Sequence, residues 1–300
     1  MEWTPGEQSS DVEDRRDDSG GGGGGGFGGG GIGIVGFLVL LVVSLVTGRN
    51  YLGSFLHGGS PAQQAGPAQA GTMGGAAPRA HTAAEDRDAK LMSFTLDDVQ
   101  KTWAGIFAKQ GKTYRHAKLV IYRGATQAGC GGVARAATGP FYCPEDEKVY
   151  IDLNFWDELR HFGGSTADFA QSYVIAHELG HHIQKLTGIE AKVQRLEQPM
   201  SPTQRNHVSV DVELQADCYG GVWAHSAKQR GIVDPGDVDA ALSAVAAVGD
   251  DHLQKMSGRA VSPESWTHGS SAMRQTWFKK GFASGDPASC NTFGGGAGNS

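Results

Sequence analysis

The most distinctive hydrophobic pattern in the chain is one almost wholly apolar run over residues 32–46. No charged residue lies between Asp18 and Arg49, and the run is flanked by polyglycine and by a Pro/Ala/Gln-rich tract. This run of fifteen residues is close to the lower limit of about 17–25 that span a bilayer. A core helix would not have such flanks, so the pattern predicts a single transmembrane helix over residues 32–48.

A cleaved signal peptide is the alternative for this run. Signal peptides have a short basic segment before the apolar stretch, whereas the 31 residues here are acidic and rich in glycine. We therefore expect an uncleaved anchor. Arg15 and Arg16 precede it and Arg49 follows it, which favours a cytoplasmic N-terminus only weakly.

The remaining pattern divides the chain around this anchor. We expect a disordered acidic and Gly-rich N-terminus over 1–31, a flexible Ala/Gly/Pro linker over 49–90 and a folded domain over 91–300. The domain pattern predicts a helix starting near Ser93, strands at 118–122 and 148–153 joined by a Gly-rich connection, and then mainly helices, near 154–162, 166–187, 205–230, 236–249 and 271–281. A short β region followed by helices favours an α+β fold.

Composition supports this division and excludes one class of partner. Of the 46 glycines, 22 lie in residues 1–90, so the domain itself has a more ordinary composition. The net charge is −6, and seven acids against two arginines in residues 1–31 account for five of those charges. A nearly neutral domain is not expected to bind nucleic acid, which requires a basic surface.

Candidate chemistry lies in the predicted helix over 166–187. It contains His177, Glu178 and His181 in the spacing H-E-x-x-H. Positions i and i+4 of a helix are about 40° apart in projection, so both imidazoles can bind one metal ion. Glu178 is turned away from that pair and can take a proton from water, as metal-assisted hydrolysis requires. The adjacent His182 is expected to be structural, with a substrate or supporting contact as the alternative.

A catalytic zinc site needs a third protein ligand. Glu213 is the best candidate, because it lies with Asp217 on one face of an apolar helix, and buried carboxylates are costly without a cation. Glu213 would bind the metal, and Asp217 would accept the free N–H of a ligand histidine. A solvated acidic face is the alternative, and Asp211 and His207 are rival ligands in less apolar settings.

These motifs carry a family resemblance. HELGHH followed by ELQADC resembles the gluzincin arrangement, and the domain is similar to the YpfJ-type neutral zinc metallopeptidases of bacteria from Cys130 to Phe293. The resemblance implies a zincin-like metallopeptidase domain, one Zn²⁺ per chain and a membrane-anchored layout with the domain outside the cytoplasm. It also suggests that Arg274 and a loop containing His268 face the cleft. His268 is our candidate oxyanion donor, and a role in capping the following helix is its alternative.

The four cysteines allow three pairings. Cys130 and Cys143 bracket the Gly-rich connection and predict a small-loop disulfide, which leaves Cys218 to pair with Cys290. A Cys₄ zinc site lacks any C-x-x-C spacing. Disulfides require an oxidising compartment, so they favour a periplasmic or extracellular domain.

The leading hypothesis is thus a membrane-anchored zinc peptidase that acts on a protein or peptide substrate, with Glu178 as general base. Two alternatives remain. One is a catalytically silent scaffold of the cell envelope, against which the presence of Glu178 argues. The other is a zinc hydrolase of a non-protein amide, which the same metal chemistry permits.

Overall fold

The protein has a mixed α+β fold, mostly helical with two small sheets, in agreement with the predicted class. This computed structural model describes residues 1–18, 80–131, 133–135 and 139–293. The predicted anchor at 32–48 lies outside these ranges, as does most of the predicted linker. Within the described ranges, no helix has the length and apolar character needed to cross a membrane.

One short strand and one long helix come first, five short strands follow, and the remaining elements are mainly helices. The strands are β1 Val12–Asp14, β2 Lys118–Tyr122, β3 Ala125–Gln127, β4 Val133–Arg135, β5 Phe141–Cys143 and β6 Lys148–Asp152. The helices are α1 Ala83–Lys109, α2 Phe155–His161, α3 Asp168–Leu186, α4 Ile189–Glu197, α5 Pro202–Gln229, α6 Asp237–Ala247, α7 Asp250–Met256 and α8 Ser271–Ser284.

The larger sheet has the order β1-β2-β6-β5. Strands β1, β2 and β6 are parallel, and β5 is antiparallel to β6. Because parallel neighbours cannot be joined by a tight turn, the Gly-rich connection between β2 and β6 is long. It contains β5 and a separate hairpin of β3 and β4.

Helix α3 runs through the core and packs against both α1 and α5. The contact with α5 is very close at Gly180, where a Cβ atom would lie only 3.0 Å from the Ala216 Cα and carbonyl oxygen. Gly281 of α8 is tighter still, since a Cβ there would lie 2.0 Å from the Cys218 carbonyl oxygen. These small residues let the helices that carry the candidate chemistry approach one another.

The first long helix begins earlier than the sequence pattern predicts. Helix α1 starts at Ala83, and Thr82 and Glu85 form a reciprocal capping box at its N-terminus. Residues 83–90 therefore belong to the folded domain and not to the linker. The pattern missed this start because the first turns are polar, and only the cap marks them.

Residues 1–18 are also ordered against the domain, which corrects the prediction of disorder for this part of 1–31. Strand β1 pairs with β2 in the register Val12↔Leu119 to Asp14↔Ile121. The acidic residues that looked solvated have partners: Glu13 lies 2.7 Å from the Lys148 amine, and Asp14 lies 2.6 Å from the Arg16 guanidinium. The high density of acidic residues favoured disorder in the sequence, but basic groups from distant parts of the chain, such as Lys148, neutralise some of these acids.

Candidate metal centre

Helix α3 presents the H-E-x-x-H residues within a buried segment. His177, Glu178 and His181 are each 7% exposed. The apolar stretch before them and the small Gly180 fix this part of α3 between the sheet and α5. The two imidazoles lie on one helical face as the spacing predicts, with ring centroids 5.0 Å apart.

Helix α5 brings Glu213 to the same point. Its Oε2 lies 3.2 Å from His177 Nε2, and its Oε1 lies 3.5 Å from His181 Nε2. The three side chains offer ligand atoms within 4.8 Å of one another. The structure thus brings together the three predicted ligands. The rivals Asp211 and His207 lie outside this cluster, and His207 is exposed.

Asp217 supports the first histidine from one turn further along α5. Its Oδ1 lies 2.9 Å from His177 Nδ1, so the other ring nitrogen, Nε2, faces Glu213. Burial alone disfavours the charged form of His177, but Asp217 and Glu213 raise its pKa to about 10. Two carboxylates here therefore favour a positive charge between them, whether a proton or a metal ion.

Asp217 is held in turn by two residues outside α5. Arg274 on α8 donates two hydrogen bonds to it, Nε to Oδ2 at 2.8 Å and Nη2 to Oδ1 at 2.9 Å. The Tyr173 hydroxyl also donates to Asp217 Oδ1. Burial would raise the pKa of the Asp217 carboxyl, yet Arg274 and His177 hold it below its usual range. Arg274, expected to face the cleft, neutralises this buried carboxylate, and its Nη2 also lies 4.0 Å from Glu213 Oε2.

The second histidine has its own support, which the sequence analysis missed. The Nδ1 of His181 lies 2.9 Å from Gln184 Oε1, and Gln184 Nε2 donates to the Gln215 side chain at 3.1 Å and to the Val212 carbonyl at 2.8 Å. Gln215 Nε2 donates to the Cys290 carbonyl at 2.9 Å. Neither glutamine stands out in the sequence, since Gln184 shares its helix face with His177 and His181.

The carboxylate of Glu178 differs from those of Glu213 and Asp217, which both lie close to charged partners. Within the part of the chain that the structure describes, no side chain or backbone group donates a hydrogen bond to it. Burial raises the pKa of the Glu178 carboxyl, an effect that His177 and His181 only partly oppose. A carboxylate without a structural partner beside two potential ligands is available for proton transfer.

His268 lies in a loop organised by Asp250. One oxygen of Asp250, Oδ2, accepts backbone N–H groups from Thr267 at 2.8 Å, His268 at 2.7 Å and Gly269 at 3.0 Å. The His268 Nδ1 lies 3.5 Å from the other oxygen, Oδ1. His268 does not cap the following helix, because the Ser270 side chain does so.

His182 is structural, as expected. The Tyr142 hydroxyl lies 2.9 Å from its Nδ1, and its Nε2 lies 2.6 Å from the Arg115 carbonyl oxygen. It thus ties α3 to β5 and to the segment before β2. Both predicted disulfides are confirmed, Cys130–Cys143 and Cys218–Cys290.

Comparison with known proteins now decides the family. Residues 1–293 match the family described as "Putative neutral zinc metallopeptidase". The chain belongs to this family. It is 48% identical to the uncharacterized protein YpfJ of Escherichia coli (strain K12) over 297 residues, which cover 98% of this chain and 99% of YpfJ. It is also 41% identical over 210 residues to the uncharacterized protein Mb2605 of Mycobacterium bovis, covering 66% of this chain and 68% of the relative. No solved structure matches.

Membership in the zinc metallopeptidase family implies zinc, and the residues present fit that ion. Zinc is bound by His nitrogen and Asp/Glu oxygen at about 2.0–2.2 Å, which in tetrahedral geometry places ligand atoms about 3.3 Å apart. The observed separations of 3.2 and 3.5 Å bracket this value. The residues that would hold the metal are therefore His177, His181 and Glu213.

Proposed function

We propose that this chain is a zinc-dependent peptidase that hydrolyses peptide bonds with Glu178 as general base. One observation carries the proposal: a buried two-histidine, one-carboxylate cluster lies beside a carboxylate that has no structural partner. Three protein ligands leave a fourth position for water or substrate, the arrangement of catalytic rather than structural zinc sites.

Zinc, when bound, supplies Lewis-acid polarisation of a carbonyl and lowers the pKa of water. The protein residues have separate tasks. Glu178 accepts a proton from the attacking water and returns it to the leaving amine, because its carboxylate is not committed to another donor. Asp217 and Gln184 hold the Nδ1 atoms of His177 and His181, so that each Nε2 stays directed at the shared point.

We assign His268 to stabilisation of the oxyanion that develops on the substrate carbonyl. The Asp250 carboxylate fixes its backbone, and Ser209 of α5 donates a hydrogen bond to the neighbouring Thr267 carbonyl at 2.9 Å. The loop is therefore docked on the helix that carries Glu213. Donors of this type typically contribute about 2.7–4 kcal/mol to transition-state stabilisation.

The free carboxylate of Glu178 also favours an enzyme over a silent scaffold, because metal binding alone does not need it. We further propose that the domain works outside the cytoplasm, since all four cysteines are paired, and that residues 32–46 attach the chain to a membrane.

The test is hydrolysis by the full chain, purified in detergent and loaded with zinc. Wild type is expected to bind one zinc and to cleave unfolded casein. Glu178→Gln is expected to keep its zinc and to lose activity by about 10²–10⁴-fold, the usual contribution of a general base. Glu264→Gln is the matched control, because Glu264 is exposed, and it should behave as wild type.

Three results contradict the proposal. Zinc binding without cleavage by wild type favours a scaffold or an enzyme of a non-protein amide. Equal activity of Glu178→Gln and wild type removes Glu178 as the base. Unchanged zinc content in Glu213→Ala assigns the third ligand elsewhere.

A further inference from the structure

The N-terminal segment, residues 1–18, is built into the same body as the metal centre. Strand β1 is an edge strand of the four-stranded sheet. The Leu119 N–H donates to the Asp11 carbonyl at 2.8 Å, and the Arg15 N–H donates to the Ile121 carbonyl at 2.7 Å. These are main-chain hydrogen bonds to β2, a central strand whose last four residues are buried.

Side chains extend this attachment to both ends of the segment. Near its start, the Trp3 indole N–H donates to Asp168 of α3 at 2.8 Å. In the middle, the Ser9 N–H donates to Ser93 Oγ of α1 at 2.8 Å. The segment therefore contacts α1, α3 and the sheet, and α3 is the helix that carries the predicted zinc ligands.

The end of the segment is fixed by a buried cation. Arg16 is 9% exposed and forms ion pairs with Asp14 at 2.6 Å and with Asp86 of α1 at 3.0 Å. Removing one partner of a buried ion pair leaves an unpaired charge, which is strongly unfavourable. Such contacts form only when the segment and α1 share one aqueous compartment.

The apolar run 32–46 lies between these two interacting parts of the chain. A single crossing there would separate residues 1–18 from residues 80–293 by a hydrocarbon layer about 30 Å thick. No hydrogen bond reaches across that distance. Two crossings would need about 34 apolar residues, twice the minimum of about 17, and the run is only fifteen residues long.

We propose that residues 1–18 and the domain with the metal centre lie on the same side of the membrane. The apolar run then attaches the protein to the membrane without carrying the chain across it. The expected topology was a single crossing with the N-terminus in the cytoplasm and the domain outside it. That expectation rested on three arginines around the run, on the predicted disulfides and on the family resemblance, and the same-side arrangement takes its place. The inference is independent of zinc and of catalysis, since it uses only contacts outside the metal centre.

The test is cysteine accessibility in the full-length protein in its native membrane. All four native cysteines are in disulfides, so they do not react with maleimides. Ser10→Cys places one thiol in the N-terminal segment, and Lys279→Cys places one on α8; both positions are exposed. Each variant is treated with a membrane-impermeant maleimide before and after the membrane is broken.

The same labelling behaviour is expected at both positions: either both react in intact cells or spheroplasts, or both react only after lysis. Reaction of one position before lysis and of the other only afterwards overturns the proposal. A second measurement tests docking itself. Arg16→Ala should lower the Tm of the purified chain, whereas Arg195→Ala, at an exposed position, should not. Equal Tm values for the two variants also overturn the proposal.

Discussion

Arg274 and Asp217 form a two-point ion pair that is fully enclosed by the fold. The guanidinium uses Nε and Nη2 on the two oxygens of the carboxylate, at 2.8 and 2.9 Å, and the same carboxylate lies 2.9 Å from His177 Nδ1. A cation on α8 thus sets the position of a residue on α5, which in turn orients a predicted metal ligand on α3. Three helices meet at one carboxylate.

Removal of this cation should destabilise the protein. Arg274→Met leaves Asp217 buried and short of its main donor, so we expect a loss of about 3–5 kcal/mol in the free energy of unfolding. Arg274→Lys keeps the charge but not the two-point geometry, so its free energy of unfolding should lie between those of wild type and Arg274→Met. Urea denaturation of the metal-free proteins measures both values. Equal stability of Arg274→Met and wild type would show that the pair contributes nothing.

Gln184 should control metal affinity without being a ligand. Gln184→Leu removes the acceptor for the His181 Nδ1–H, and we expect zinc affinity to fall about 10–100-fold, the usual effect of losing such support. Competition with a chromophoric chelator measures this change. Gln194→Leu, on the exposed side of α4, is the matched control. Unchanged affinity in Gln184→Leu would mean that His181 is oriented by packing alone.

Asp250 should give the protein a distinct acid sensitivity. Burial would raise the pKa of the Asp250 carboxyl, but His268 and the backbone N–H groups of the loop lower it. A group whose folded pKa is depressed stabilises the protein above its unfolded value, about 3.9, and this contribution disappears as the pH falls through the folded pKa. Asp250→Asn should therefore be less stable than wild type at neutral pH.

The difference between Asp250→Asn and wild type should shrink steadily below about pH 4. Thermal melts of both proteins from pH 2 to pH 7 provide the measurement. A difference that stays constant over this range would argue that the loop is held by geometry and not by the carboxylate charge.

The two disulfides should differ in their contribution to stability. Cys218–Cys290 joins residues 72 apart and Cys130–Cys143 joins residues 13 apart. Loop entropy then predicts about 4.4 and about 2.9 kcal/mol respectively. Double Cys→Ser variants of each pair, compared by Tm, test this order. Loss of the Cys218–Cys290 disulfide should also weaken zinc binding. Without it the Cys290 carbonyl that Gln215 binds is no longer fixed, and Gln215 in turn supports Gln184, the partner of His181. The reverse order of Tm values would refute the entropic account.

Local spacing made the centre of the site predictable. His177 and His181 are brought together by helical geometry alone, and Glu213 stands out because carboxylates are rare on an apolar helix face. The supporting residues are harder to find. Asp250 accepts hydrogen bonds from the backbone N–H groups of residues 267–269. Every residue except proline has such a donor, so the sequence does not show which ones are used. The supporting role of Gln184 and Gln215 can be recognised only when the packing of α3 against α5 is known.

Strand β1 and the start of helix α1 were also not predicted from the sequence pattern. Strand β1 has three residues and no alternating pattern of its own, and it forms because the edge of β2 accepts it. The first turns of helix α1 are polar, and its buried apolar residues begin only at Ala89. Long-range pairing determines β1, and neither hydrophobic periodicity nor local charge reports such pairing. The start of α1 is marked only by its local cap.

The contact between Gly180 and Ala216 has a consequence for metal choice. A methyl group at position 180 would meet the backbone of α5 at 3.0 Å, so it would push α5, and Glu213 with it, away from the two histidines without replacing any of the three ligand residues. Larger ions with longer bonds, such as Mn²⁺, would then gain relative to Zn²⁺. The width of this site is therefore set by two of the smallest side chains in the helices, which makes Gly180→Ala a route to altered metal preference.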